Sequence, residues 1–212
     1  MDPQIINILQ REGRKRVFRP GELIFRQGDM DDNFYFMKSG LALAYVLSEE
    51  GKERSILIVW PEHFFGTSNF LAEKPHMTSA IATKRCELIV IDRAAYLRCR
   101  QAIPELLDIL VASLSLEMGT LFQEITDNAM CTSDEKVARF ICRRIGEGRY
   151  AMQDGDMVLE YTQDFIASIV GASRWSVNQS LMSLRDRGWL TTKYGTIIIK
   201  DYDAIRSFGY GD

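Results

Sequence analysis

The sequence predicts an α+β chain in three parts: an N-terminal antiparallel β-barrel, one long amphipathic helix, and a C-terminal unit of helices closed by a β-hairpin. Three observations carry this. Short apolar runs punctuated by glycines fill residues 17–97. Over 104–130 the apolar period changes to three and four residues. After 132 come capped helical segments and a final apolar run broken at Tyr194–Gly195.

In the first part, "ELIFRQGD" and "FYFMKSG" each end in a glycine turn signal. "LALAYVLSEEGKERSILIV" reads as a hairpin with its tip at Ser48–Lys52, and "CELIVID" as a further strand. Many short strands with regular glycines suggest an antiparallel barrel or sandwich. In the second part, Leu107, Leu110, Leu114, Met118, Leu121 and Ile125 recur at helical spacing, with one glycine and no proline among them. Pro104 suits the first turn. A helix of about 25 residues is roughly 37 Å long. That exceeds what a small barrel needs, so its apolar face is expected to pair with a second copy of the chain. Glu117 and Glu124 interrupt one of the two apolar rows, so the seam is not a strict heptad.

In the third part, Ser133 is the N-cap candidate before "DEKVARFICRRIG", and Gly146 its stop. "MVLEY" is a short strand. Thr162 caps "QDFIASIV", in which Phe165, Ile166 and Ile169 are apolar at helical spacing, and "GAS" turns tightly into the next helix. Gly188 ends that helix, and "WLTTKYGTIIIK" forms a hairpin at Tyr194–Gly195. Helix, turn, helix and two-stranded wing is the order of a winged helix-turn-helix. The expected boundaries are 1–103, 104–131 and 132–212.

Composition excludes some functions. The chain has 212 residues, 46% hydrophobic and 26% charged, as expected of a folded globular protein. Its continuous apolar runs are short, so no segment is expected to span a bilayer and no membrane partner follows. "MDPQIINILQREGRKR" lacks the apolar core and cleavage site of a secretory leader, so the expected location is cytoplasmic. Cys86, Cys99, Cys131 and Cys142 form no CxxC pair and no cluster with histidine. They read as free thiols, and neither a metal site nor a cofactor is expected. The two histidines, His63 and His76, share one loop region and have no nucleophile or triad beside them, so no catalytic residue is assigned.

The net charge of −3 argues against nucleic acid until its distribution is read. Residues 132–212 carry 11 cations and 11 anions. From Ser173 to Gly195 there are four cations (Arg174, Arg185, Arg187, Lys193) against Asp186 alone. A local basic face is what phosphate binding needs.

"GASRWSVNQSLMSLRDRGWL" places Arg174, Trp175, Asn178 and Gln179 within one turn of each other on one helix face. Val177, Leu181 and Leu184 point the other way. Arg pairs with guanine O6 and N7, and Asn or Gln with adenine N6 and N7. Ser173 caps this helix, whose exposed N-terminal amides favour a phosphate. Thr162 and Lys193 complete the expected contacts to double-stranded DNA, Lys193 mainly through phosphate. Trp175 is expected against a thymine methyl or a sugar, or packed on a neighbouring domain or the wing.

The order barrel, long helix, winged helix-turn-helix resembles the CRP/FNR superfamily of bacterial transcription regulators. "RPGELIFRQGDMDDNFYFMKSGLA" looks like its barrel entry, with Gly21, Gly28 and Gly40 at turns. "HFFGTSNF" is similar to its effector segment, and "YTQDFIASIVGASRWSVNQSLMSLRDRGWL" to its DNA-reading unit. The resemblance implies a cyclic-nucleotide-binding-like jelly roll, a dimerisation helix, and a homodimer whose effector resets the spacing of two reading helices. If the regulator is an activator, it also implies contact with RNA polymerase. The implied effector wall is Phe65, Gly66, Thr67, Ser68, Asn69, Phe70, Met77, Thr78 and Ser79, faced by Leu121 and Phe122.

Departures from the family pattern shape the effector. Cyclic-nucleotide binders carry Gly-Glu, and later Arg-Ser or Arg-Thr before alanine. Here Thr67 follows Gly66, and Thr78 precedes Ser79–Ala80 where the Arg should be. Leu121 and Phe122 replace the polar pair that contacts adenine. The expected effector is therefore a small molecule other than a cyclic nucleotide. In the DNA helix, Trp175 stands for the usual glutamate and Gln179 for a frequent arginine. Other readings are a haem-based gas sensor using His76, a constitutive DNA binder with a scaffold barrel, and a barrel subunit regulating an enzyme or channel. A lone loop histidine such as His76 is expected to be solvated.

Overall fold

Asp2 caps the first helix, α1 (Pro3–Glu12), by accepting from the Gln4 amide at 2.8 Å, and Pro3 takes the first turn, where a missing N–H costs nothing. The computed structural model describes residues 1–51 and 53–211, so Lys52, at one end of the expected hairpin tip, lies outside the described residues. Strands β1 (Arg14–Phe18), β2 (Leu23–Phe25), β3 (Asn33–Ser39), β4 (Ala42–Leu47), β5 (Glu53–Val59) and β6 (Phe64–Phe65) follow. Then come helix α2 (Thr67–Ala72), strands β7 (Ser79–Ala82) and β8 (Cys86–Asp92), and helix α3 (Arg93–Ala102).

These strands form two antiparallel four-stranded sheets, in the orders β1-β8-β3-β6 and β2-β7-β4-β5. No ladder joins the two among the described residues, so the expected barrel is an open, two-sheet jelly roll. In the first sheet, the central strands β3 and β8 are buried on both faces. Tyr35, Met37, Leu88 and Val90 pack with Phe25, Ala42, Val59 and Ala80 of the second sheet. Their chain neighbours Phe34, Phe36, Ile89 and Ile91 pack with Leu9 of α1, Tyr96 and Cys99 of α3, and Leu106 and Leu110. Double burial explains why "FYFM" and "LIVI" are continuous apolar runs rather than alternating ones. Gly40 makes the β3–β4 turn at φ +106°, where an added Cβ would lie 2.4 Å from Arg85 O. No other residue fits that approach.

Helix α4 (Leu106–Met130) has 25 residues. Pro104 lies just before it in a turn rather than in its first turn. The chain divides into two units, Met1–Leu121 and Phe122–Asp212, and the division falls inside this helix. Leu106 and Leu110 are buried in the first unit, whereas Val111, Leu116, Met118, Phe122, Ile125 and Met130 are exposed. By length and composition α4 could cross a membrane, which corrects the expectation that no segment could. The apolar stretch contains no long continuous run because serine, threonine and glutamate interrupt it.

In the second unit, Thr132 caps α5 (Ser133–Gly146), not Ser133 as expected. Thr132 and Glu135 form a reciprocal capping box, a pairing available only one residue earlier. Asp127 near the end of α4 is buried and accepts from Arg139 and Arg143, both at 2.6 Å, which fixes the last turn of α4 on α5. Strands β9 (Ala151–Gln153) and β10 (Asp156–Leu159), helices α6 (Gln163–Val170) and α7 (Arg174–Asp186), strands β11 (Leu190–Lys193) and β12 (Thr196–Ile199), and helix α8 (Tyr202–Tyr210) complete the chain. The wing hairpin β11–β12 is half of a sheet ordered β11-β12-β10-β9. Val137, Phe140, Ile166, Val177, Leu181, Leu184, Ile197 and Ile205 are buried within this unit.

Candidate nucleic-acid interface

Two caps set the interface. The Thr162 hydroxyl accepts from Phe165 N at 3.2 Å to open α6. The Ser173 hydroxyl accepts from Ser176 N at 3.0 Å to open α7. Between them Gly171 takes φ +66°, the left-handed conformation that lets α6 stop and α7 start within three residues. Val177, Leu181 and Leu184 anchor the inner face of α7. Arg174, Trp175 and Gln179 are therefore held outward, and Trp175 is 71% exposed.

The expected front is only partly free. Asn178 is half-buried, and its Oδ1 accepts from Gln163 Nε2 at 2.9 Å. Its own amide lies 3.6 Å from the Met182 sulfur. Arg174 Nη1 lies 3.7 Å from Asp164 Oδ2. A cleft of about 390 Å³ separates the start of α7 from the wing. Thr162, Gln163, Asp164, Arg174, Lys193 and Tyr194 are among its lining residues. Tyr194 at the wing tip is fully exposed. Sequence reasoning assigned Tyr194 only to a turn and gave no role to Gln163 or Asp164. The position of Tyr194 beside Lys193 in the hairpin tip was the available signal for it.

The residues expected to wall the effector lie in the first unit and along α4. Gly66 begins α2 at φ +71°, and a Cβ there would meet the Tyr35 ring at 3.3 Å. Thr67, Asn69, Phe70, Phe65 and Ser79 are buried, Ser68 and Thr78 half-buried, and Met77 exposed. Phe65 and Phe70 belong to different core clusters, on opposite faces of the first sheet. Asn69 donates to the Pro75 carbonyl, and the Ser79 hydroxyl accepts from Gln27 N at 2.9 Å. On α4, Leu121 is half-buried and Phe122 exposed.

His76 corrects the expectation of a solvated histidine. It is 2% exposed, stacks on Phe25 at 4.0 Å between centroids, and places Nε2 2.9 Å from Asp31 Oδ1. Tyr35 donates to the other Asp31 oxygen at 2.9 Å. Burial and the Asp31 carboxylate push the Tyr35 phenol far above its ordinary range. Against the upward push of burial, the hydrogen bonds from His76 and Tyr35 hold Asp31 below the usual carboxylate range. The stacking partner Phe25 and the acid Asp31 lie about 50 residues upstream of His76, beyond local pattern. Among the described residues no group of three or more His, Cys, Asp or Glu is placed to hold a metal ion. Burial raises the Cys86 thiol, and pushes Cys99 and Cys142 up to about 11, so these are packing groups rather than reactive ones.

Residues 15–102 match the cyclic nucleotide-binding domain, and residues 135–208 the Crp-like helix-turn-helix domain. The chain belongs to the CRP/FNR superfamily. A CRP-like cAMP-activated global transcriptional regulator of Mycobacterium tuberculosis is 24% identical over 97% of this chain and 92% of its own length. A CRP/FNR-family transcriptional regulator from Thermus thermophilus superposes with a TM-score of 0.78 at 23% identity, over 92% of this chain and 98% of that one. The c-di-GMP responsive regulator CLP of Xanthomonas campestris gives a TM-score of 0.81 at 18% identity, over 93% and 99% of the two chains. With both of these domains, the chain is a CRP/FNR-type DNA-binding transcription regulator.

Proposed function

We propose that this regulator works in the cytoplasm as a homodimer paired through α4, and that it reads double-stranded DNA with the front of α7. In this reading Arg174 contacts a guanine, and Gln179 and Asn178 contact bases. Trp175 packs on a thymine methyl or sugar, and Thr162, Ser173 and Lys193 hold phosphates. The observation that carries it is the exposed Arg174–Trp175–Gln179 front, whose Arg174 lines a cleft together with Lys193. The dimer rests on the exposed apolar residues of α4, from Val111 to Met130, since contiguous apolar surface of this kind marks an association face. Two reading heads about one DNA turn apart, ~34 Å, would then engage paired half-sites.

The effector is a small, partly apolar molecule bound in the first unit near α2, and not a cyclic nucleotide. Its binding changes DNA affinity by favouring one of two dimer arrangements. If the outcome is activation, RNA polymerase is a further partner. The test is selection of bound sites from random duplex DNA, repeated with Arg174→Ala. The expected result is a two-fold symmetric site. The variant should lose about 1–3 kcal/mol and its preference at one guanine per half-site. An unchanged selected site in the variant would show that α7 is not the reader.

A further inference from the structure

Asp164 stands in the first turn of α6 with Oδ2 3.7 Å from Arg174 Nη1 at the start of α7. The two side chains are 68% and 66% exposed, so the ion pair adds little to stability. Both line the cleft that also holds Lys193 and Tyr194. A carboxylate in a cleft that receives a polyanion opposes binding of every sequence. Its placement against one particular guanidinium is what gives it a use.

We propose that Asp164 is a specificity-determining residue that restrains Arg174 until a guanine releases it. This rests on the reading of α7 as the DNA-reading helix. On a correct site, two hydrogen bonds to guanine O6 and N7 draw Arg174 off Asp164. On any other sequence a single phosphate oxygen offers less, Arg174 stays on Asp164, and the protein makes one phosphate contact fewer per protomer. Non-specific binding is weakened more than specific binding. Discrimination thus comes partly from a penalty on the wrong partner, in addition to the attraction of the right one.

The salt dependence of binding reads this directly. Fluorescence anisotropy of the full chain on its selected duplex and on a scrambled duplex of equal length, from about 50 to about 200 mM salt, compares wild type with Asp164→Asn, Asp164→Glu and Arg174→Ala. Asp164→Asn should tighten binding to the scrambled duplex more than to the selected one. On the scrambled duplex its plot of log Kd against log salt should steepen by about one per bound protomer, so the affinity lost over that salt range grows roughly 3.5-fold more. Asp164→Glu, which keeps the pair, should behave as wild type. In an Arg174→Ala background the added Asp164→Asn should no longer steepen the slope. A slope unchanged by Asp164→Asn overturns the proposal, and so does a steepening that persists without Arg174. Duplex binding that depends on Arg174, with no effect of Asp164→Asn, overturns this inference alone. Failure of the wild type to bind any duplex overturns the reading of α7 as well. Circular dichroism melts establish that each variant is folded.

Discussion

The Asn178 side chain spends its carbonyl on Gln163 and turns its amide toward Met182. Residue type and helical spacing placed it beside Arg174 and Gln179 as a base reader. The partner that holds it comes from the preceding helix and is invisible to the periodicity of α7. The bond orients the amide and leaves one oxygen lone pair and one N–H for DNA. Lys193 differs: it is exposed at the end of β11, and no charged partner fixes it among the described ion pairs. In the proposed DNA complex a flexible ammonium there would act as a point charge on phosphate. Lys193→Ala is therefore expected to weaken all duplexes alike, and to flatten the salt dependence by about one per half-site in an anisotropy titration. A change confined to one base position would contradict the phosphate role.

At the scale of elements, the most legible parts were those with chemical punctuation. Thr162 and Ser173 announce α6 and α7 through their hydroxyl caps, and Tyr194–Gly195 announces the wing. Strand β9 has no such mark: Ala151–Gln153 is exposed at all three residues and becomes a strand only by pairing with β10. Helix α1 does carry a signal, Asp2 before Pro3 with Ile5, Ile8 and Leu9 at helical steps, but at the N-terminus such a stretch is weighed first as a leader. Helix α4 was legible as a helix, and two measurements test its role. Leu114 and Leu121 are half-buried in a single chain. Replacing either with Glu should cost a dimer several kcal/mol by burying an unpaired charge, on the order of 3. Sedimentation should then show monomers, and a wild type already monomeric at micromolar concentration would end the dimer reading. Burial pushes the Glu117 carboxyl up to about 7, above its ordinary 4.5. Between those values the folded state binds more protons than the unfolded one, so this residue's contribution to stability falls as pH rises from about 4.5 to about 7. Glu117→Gln should raise Tm at about pH 8 and leave it nearly unchanged at about pH 4. An equal shift at both pH values would mean that ionisation is not the cause.

At the scale of the molecule, a net charge of −3 coexists with a cleft, proposed to face DNA, whose charges are Arg174, Lys193 and Asp164 among its described lining residues. The overall balance therefore says nothing about the reading face. The same local accounting bears on the effector. A cleft of about 380 Å³ beside α2 is lined by Asp31, Asp32, Glu73, Lys74 and Arg93 among others. Its Arg93 is already committed, to Asp32 at 2.7 Å, to the Phe70 carbonyl at 2.9 Å, and over the Phe70 ring at 3.9 Å. Three acids against two cations leave no spare positive charge there. Where the family resemblance implies a ribose-holding Glu and a phosphate-holding Arg stand Thr67, buried, and Thr78, half-buried, and neither is charged. The family pattern made this departure legible in sequence, whereas the Asp32–Arg93 pairing, 61 residues apart, became visible only in three dimensions.

A cyclic phosphate bears a full negative charge, and taking it from water without a cationic partner costs several kcal/mol even after relaxation. Each ~1.4 kcal/mol is tenfold in affinity, so a cost of about 4 kcal/mol moves a micromolar ligand to the millimolar range. Calorimetry is therefore expected to detect no cyclic AMP binding at micromolar concentration, and cyclic AMP should leave duplex affinity unchanged. A variant that restores the missing groups supplies the positive arm: Thr67→Glu with Thr78→Arg should gain cyclic AMP affinity relative to the parent, because the ribose hydroxyl and the phosphate each regain a partner. Micromolar binding to the parent chain, abolished by Thr78→Trp, would place a cyclic nucleotide in this wall after all and refute the charge argument.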